Sequence, residues 1–161
     1  MNRPLLLLRL VLACALVATE GVAGEELPPA VDLHADAHVA RAERLPIVLF
    51  FYSRSCPFCR EVEELYLQPL LHENNRPRRF LLRRIEISET RPLVSFSGNT
   101  TDSRRFAQEQ KVMLVPHLRF VGPEGERLAP DLVGLSSRDF YGGYLDDSIA
   151  AARVKLRKLA R

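Results

Sequence analysis

Two cysteines separated by two residues carry the most distinctive chemistry in this chain. They lie in the segment Cys56-Pro57-Phe58-Cys59. A pair with this spacing can contribute to a metal site, form a structural disulfide or pass electrons by thiol–disulfide exchange. A disulfide that closes such a short loop removes little entropy from the unfolded chain, so the structural role is the least favoured of the three.

The residues around the pair predict a buried strand that leads directly into a helix. Residues 47–52 (IVLFFY) are continuously β-branched or aromatic, which is typical of a strand buried on both faces. Pro57 suits the first helical position, where its missing N–H is not needed. Cys56 is therefore expected at a helix start, where unpaired N–H groups and aligned peptide dipoles stabilise a thiolate. We predict that Cys56 attacks disulfides of other proteins and that Cys59 resolves the mixed disulfide.

Hydrophobic periodicity and turn residues predict alternating helices and strands along the rest of the chain. Asp32 and one of Thr100 and Thr101 are expected to cap helices. The alternation in the first half favours a parallel strand pair, and the turn at residues 123–126 (PEGE) favours an antiparallel pair. A mixed sheet with helices on both faces satisfies both features. The expected helices span residues 32–44, 57–75 with a kink or a restart at Pro69, 102–111 and 136–159. The expected strands span 47–52, 79–87, 117–121 and 127–133, with a small hairpin around 97–99.

The strand, the cysteine pair at the following helix start and a later Val115-Pro116 dipeptide together resemble the thioredoxin superfamily over about residues 30–158. The resemblance implies an α/β thioredoxin-like fold with a mixed four-stranded central sheet flanked by helices on both faces. It also implies a cis peptide bond at Pro116, beside the cysteines, and a Val115 backbone that docks an extended substrate. Pro57 and Phe58 complete the substrate-binding residues that it implies, and no organic cofactor is needed.

A narrower similarity links the chain to the exported thioredoxin-like proteins of bacterial sulfur-oxidation clusters. It rests on the Cys-Pro-aromatic-Cys motif, the connection around Phe96-Ser97-Gly98, the Gly-Pro-Glu-Gly-Glu turn and a terminal helix that contains Phe140 and Tyr144. The substrates that this similarity implies are protein thiols and disulfides.

The chain departs from the thioredoxin pattern at Phe50, where many family members place a buried acid that accepts the proton of the resolving thiol. Glu61, Glu63 and water remain open as replacements for that acid. The Pro-Phe dipeptide between the cysteines is nearest to the Pro-Tyr of glutaredoxins, whose reduction potentials are about −200 to −230 mV. We therefore expect an intermediate potential and a role as a reductant or an isomerase-like exchanger.

Residues 1–24 have the pattern of a secretory signal peptide, with Arg3 near the start, a short apolar stretch and small residues before the cleavage point. Residues 25–161 would then form a single thioredoxin-like domain in the periplasm. Cys14 is expected to leave with the signal, and its lipidation is the alternative. Because the periplasm is kept oxidising, a reducing role requires an upstream donor, for which a membrane thiol transporter is expected. No dimerisation segment is visible, so a monomer is expected.

A copper- or zinc-binding protein, such as a metallochaperone on the same scaffold, is the alternative function. His34 and His38 are four residues apart on a predicted helix, a spacing compatible with zinc. His117 directly follows the Val-Pro dipeptide, and imidazole and thiolate ligands from His117, Cys56 and Cys59 suit both metals. Nucleic acid is not an expected partner, because the net charge of +3 is mild and the arginines are mixed with apolar residues.

Overall fold

Helices alternate with strands in the structure, a computed structural model that describes residues 26–73 and 78–159. The predicted signal peptide and Cys14 lie outside the described residues. The strands are β1 (Ile47–Tyr52), β2 (Leu81–Glu86), β3 (Pro92–Val94), β4 (Thr100–Asp102), β5 (His117–Val121) and β6 (Leu132–Val133). The helices are α1 (Leu33–Glu43), α2 (Pro57–Val62), α3 (Gln68–Glu73), α4 (Ser103–Glu109) and α5 (Arg138–Leu159), with a π-helical turn at Glu63–Leu67 between α2 and α3. None of the helices within these ranges is long and apolar enough to cross a membrane.

Four strands form a mixed sheet in the order β2-β1-β5-β6. β1 runs parallel to β2, with Ile47 opposite Leu81, and antiparallel to β5, with Ile47 opposite Val121. β5 pairs antiparallel with β6, and β3 and β4 form a separate two-stranded hairpin. The predicted mixed four-stranded sheet and the predicted small hairpin are confirmed.

Helices cover both faces of this sheet, and every side chain of β1 is therefore buried. Val48 and Phe50 point into one apolar cluster, which side chains of α2, α3 and α5 complete. Leu49 and Phe51 point to the opposite face, where α1 and α4 complete a second cluster. The apolar run of the sequence therefore serves two cores at once, and its predicted burial on both faces is confirmed.

Two aspartates, rather than one aspartate and a threonine, cap the helices on the second face. Asp32 caps α1 as predicted. The prediction for Thr100 or Thr101 is wrong, because α4 begins at Ser103, which leaves the cap position to Asp102. Asp102 caps α4 instead, and its carboxylate accepts the Arg105 N–H at 2.9 Å.

The helix that follows the cysteine pair contains a wide π-helical turn just before Pro69, the residue at which a kink or a restart was predicted. The N–H of Gln68 donates to the carbonyl of Glu63, five residues back, within the π-helical turn Glu63–Leu67. Pro69, which has no N–H, follows immediately. The chain continues into α3 without a break, and the terminal helix begins at Arg138, two residues later than expected.

The last strand is shorter than the predicted residues 127–133. β6 contains only Leu132–Val133, preceded by one isolated bridge from Arg127 to β5. Pro130 cannot donate to a strand ladder, and the Asp131 side chain turns inward to a buried arginine. Side-chain burial and a missing N–H thus end the pairing that the sequence pattern predicts.

That arginine belongs to a buried polar network that joins β5 to the segment before β6. Arg119 is 2% exposed, and its Nε and Nη2 donate to Asp131 Oδ2 at 3.1 and 2.9 Å. His117 Nε2 lies 2.8 Å from the same oxygen. Burial alone would raise the pKa of Asp131, but hydrogen bonds from Arg119 and His117 outweigh it and lower that pKa. Burial lowers the pKa of His117, which favours the neutral imidazole. The positive charge that pairs with the Asp131 carboxylate is therefore that of Arg119.

Replacing Asp131 with alanine is expected to lower the free energy of unfolding by about 3–5 kcal/mol, because it leaves the Arg119 charge buried without its partner. Urea denaturation followed by circular dichroism measures the change. Glu124→Ala is the control, since Glu124 pairs with Arg41 at 2.5 Å where both side chains are more than half exposed. A pair of that kind contributes about 0–1 kcal/mol. Equal losses in the two variants would contradict the role given to the buried network.

Candidate functional site

The turn from β1 into α2 places Cys56 at the start of a helix, as the sequence predicts. The Cys56 N–H donates to the Ser53 carbonyl at 3.0 Å, which closes the turn. Cys56 is the N-cap of α2 and Pro57 is the first helical residue. The Cys59 N–H points at Cys56 Sγ at 3.2 Å. The sulfur thus occupies the position of a capping oxygen, directly against a backbone donor.

The two cysteine sulfurs lie in different environments. Cys56 is half-buried, and both thiols are free. Cys59 is 1% exposed and belongs to the apolar cluster that includes Phe50 and Tyr52. Burial, followed by the hydrogen bond with Cys56, raises the pKa of the Cys59 thiol to about 12. A molecule in solution can therefore reach the first sulfur but not the second.

The segment before β5 meets the cysteine pair at Cys56. The Val115–Pro116 peptide bond is cis, as the resemblance implies. The Val115 carbonyl lies 3.9 Å from Cys56 Sγ. Pro116 is buried, whereas Pro57 is exposed on the neighbouring helix start. The structure thus brings the sequence-predicted residues of both segments together around one sulfur atom.

An exposed apolar surface adjoins this sulfur. Phe58, between the cysteines, is 50% exposed, and Met113 and Leu114, just before Val115, are 83% and 67% exposed. Sequence reasoning missed the last two residues. Their signal was available, since two large apolar residues in a loop directly before a docking segment have no core position to fill.

A polar cleft of about 330 Å³ opens on the other side of Cys56. Arg84 lines it from β2 and packs over the Tyr52 ring at 5.5 Å. Its Nη1 lies 3.5 Å from Glu63 Oε1, and its Nη2 contacts Glu26. No sequence pattern pointed to Arg84, because its place in the cleft depends on how β2 aligns with β1.

The cleft distinguishes the two acids that the sequence offers as proton acceptors. Glu63 lines the cleft together with Cys56, and Glu61 does not. Glu61 instead forms an ion pair with Arg138, whose Nη2 donates to it at 3.0 Å. Burial raises the pKa of Glu63 above its usual value. A half-buried carboxyl whose burial favours its protonated form therefore lies in the same cleft as the half-buried sulfur.

The structure does not bring His117 to the cysteine pair. The His117 ring packs edge-on against Phe51, with ring centroids 5.8 Å apart, on the face of the sheet opposite to Cys59. Within residues 26–73 and 78–159, no three His, Cys, Asp or Glu side chains are grouped to hold a metal ion. The joint site of the cysteines and His117 that the alternative function requires is therefore not formed. His34 and His38, in contrast, contact each other on α1.

Comparison with known proteins identifies the fold. A family model described as a thioredoxin-like domain matches residues 33–148, and no curated protein matches the chain. The structure resembles a DsbH oxidoreductase with a TM-score of 0.55 and 17% identity, over 88% of this chain and 94% of that one. Fasciola hepatica thioredoxin matches with a TM-score of 0.52 and 14% identity, over 77% of this chain and 97% of that one. Oxidised mitochondrial thioredoxin 3 from Saccharomyces cerevisiae matches with a TM-score of 0.51 and 16% identity, over 77% of this chain and 93% of that one.

Of the two cysteines that the structure describes, alkylation of the reduced protein at neutral pH is expected to modify only Cys56, because Cys59 is buried and its pKa is about 12. Iodoacetamide labelling followed by peptide mass spectrometry measures this. Cys59→Ser should keep the reactive thiol of Cys56, and in Cys56→Ser the thiol of Cys59 should stay unlabelled over the same time. Comparable labelling of both cysteines in the folded protein would contradict the arrangement.

Proposed function

The chain belongs to the thioredoxin-like family, and from this membership we propose that it is a thiol–disulfide oxidoreductase that exchanges disulfides with protein substrates. The observation that carries the proposal is the Cys59 N–H at 3.2 Å from Cys56 Sγ, at the start of α2. That contact favours negative charge on an accessible sulfur, which is what a nucleophile in disulfide exchange requires.

The reaction proceeds in two steps. The thiolate of Cys56 attacks one sulfur of a substrate disulfide, forms a mixed disulfide and releases the other substrate sulfur as a thiolate. Cys59 then loses its proton and attacks Cys56 Sγ, which releases the second substrate thiolate and leaves a Cys56–Cys59 disulfide. Two electrons pass from the cysteine pair to the substrate, and both released thiolates take up protons. An exchange partner must reduce the pair before the next cycle.

Substrate proteins dock along the segment that precedes β5. The backbone of Val115, next to Pro116, pairs with an extended substrate chain and holds its disulfide against Cys56. Pro57 and Phe58 contact the substrate from the helix side. The exposed side chains of Met113 and Leu114 extend the apolar surface on which the substrate lies.

Glu63 receives the proton of Cys59 through water in the cleft. The resolving thiol is buried, so it needs a base nearby before it can attack. Glu63 is one helical turn from Cys59 and lines the cleft that contains Cys56. Its raised pKa makes it a stronger base than an exposed carboxylate.

The pattern of residues 1–24 supports action in the periplasm, after removal of a signal peptide. The Pro57-Phe58 dipeptide supports a reductant or isomerase-like direction, with reducing equivalents from a membrane thiol transporter. The similarity to exported proteins of sulfur-oxidation clusters supports the same compartment. We take the working form to be a monomer.

A Cys59→Ser variant should accumulate substrate proteins as mixed disulfides on Cys56, because the resolving step is blocked. Non-reducing electrophoresis and mass spectrometry of a periplasmic extract detect them. The native protein should also reduce insulin with dithiothreitol in the presence of a metal chelator, and Cys56→Ser should not. A trap that captures nothing, together with no insulin reduction, would exclude the proposed reaction.

Glu63→Gln should slow resolution by about 10²-fold, because it removes the base while keeping the shape of the side chain. The two-step release of thionitrobenzoate from Ellman's reagent separates attack by Cys56 from resolution by Cys59. Only the rate of the second step should fall, and the pH range over which that rate increases should shift to higher pH. Glu61→Gln is the matched control, since Glu61 is paired with Arg138 outside the cleft. Equal effects of the two variants would contradict a role for Glu63.

A further inference from the structure

Two histidines on α1 form a contact that the proposed redox chemistry does not use. His34 and His38 are one helical turn apart, and both are exposed. Their Nε2 atoms lie 3.2 Å apart, with ring centroids 4.8 Å apart and ring planes at 89°. This hydrogen bond holds two exposed imidazole rings in one geometry.

The His34 ring is held in one orientation by the hairpin turn. Its Nδ1 lies 3.1 Å from the Phe96 carbonyl oxygen. A carbonyl can only accept, so Nδ1 carries the proton, and in the neutral ring Nε2 presents its lone pair. The ring also packs over Gly98, where an added Cβ would stand 3.9 Å from it. A fixed ring with a lone pair on Nε2 and an Nδ1–H bonded to a carbonyl is the arrangement that metal-ligating histidines adopt.

The spacing of the two nitrogens also fits a metal ion. Two imidazole nitrogens at about 2.0–2.1 Å from a tetrahedral zinc ion stand about 3.3–3.4 Å apart. The observed separation of 3.2 Å is close to this value, so both nitrogens can reach one ion once the His38 ring turns its lone pair toward it. In the metal-free pair one proton lies between the two Nε2 atoms, and a bound cation would displace it.

We propose that His34 and His38 form a surface binding site for a divalent transition metal ion, separate from the cysteine pair. Imidazole ligands suit Cu²⁺, Ni²⁺ and Zn²⁺, and the general affinity order places Cu²⁺ first. The described residues supply no third ligand, so water completes the coordination and the affinity is moderate. The site lies on α1, which packs against the second cluster, whereas Cys59 belongs to the first. This inference does not depend on the proposed function.

Binding should also stabilise the fold locally. The ion would connect two consecutive turns of α1, and through His34 it would reinforce the contact of α1 with the hairpin turn at Phe96. A ligand that binds only the folded state raises the midpoint of thermal unfolding in proportion to the logarithm of its concentration.

The test uses the full chain without an affinity tag, with Cys14→Ser and in its Cys56–Cys59 disulfide form, so that no thiolate competes for the metal. Titration calorimetry with Cu²⁺ and Zn²⁺ salts should give one ion per chain, with Cu²⁺ tighter. Electron paramagnetic resonance of the Cu²⁺ form should show coupling to two imidazole nitrogens. Affinity should fall at least about tenfold in His34→Ala and in His38→Ala. His72→Ala, which removes an exposed histidine elsewhere, should leave it unchanged.

His38→Gln separates metal binding from the hydrogen bond. Its amide can still donate to His34 Nε2, so the midpoint of thermal unfolding without metal should match that of the native protein. The rise in midpoint on adding Cu²⁺ should nevertheless be lost. The proposal is overturned if the native chain does not bind Cu²⁺, or if the His34→Ala, His38→Ala double variant binds it as tightly.

Discussion

A single hydrogen bond, from the Cys59 N–H to Cys56 Sγ, is the contact on which the proposed site depends. It exists because only a short turn, residues 53–56, leads from β1 into α2, so that the Cys56 sulfur takes the cap position of the helix. Burial of β1 on both faces fixes that junction in the middle of the fold. The Val115 carbonyl approaches the same sulfur from the next strand. The central strand therefore positions both Cys56, the proposed nucleophile, and the segment on which we propose that a substrate docks.

The sheet also separates the cysteine pair from a buried ionic network. Cys59 lies with Phe50 in the apolar cluster on one face, and the half-buried Cys56 lines the polar cleft. The opposite face contains the ionic network of Arg119 and Asp131, which holds the strand that begins just after the cis proline. The polar network thus supports the docking segment from behind without placing a charge next to the resolving thiol.

The sequence predicted the elements whose signals are local. The run at residues 47–52 and the proline after Cys56 predict the strand, the helix start and the position of the nucleophile. The shortened last strand could not be predicted, because the inward turn of Asp131 depends on a buried arginine on another strand. The choice of Glu63 over Glu61 depends on how the helix lies against the sheet, and the pairing of His34 with the hairpin depends on tertiary contact.

The π-helical turn at Glu63–Leu67 limits how far the length of this helix can change. A regular helix would return to the face of Cys59 and Val62 at position 66, seven residues after Cys59, but the fully buried residue is Leu67, one position later. The turn therefore behaves as a one-residue insertion that lets the two halves of the helix keep independent phases. Shortening this segment by one residue would force either the redox end or the end that packs on α5 out of alignment.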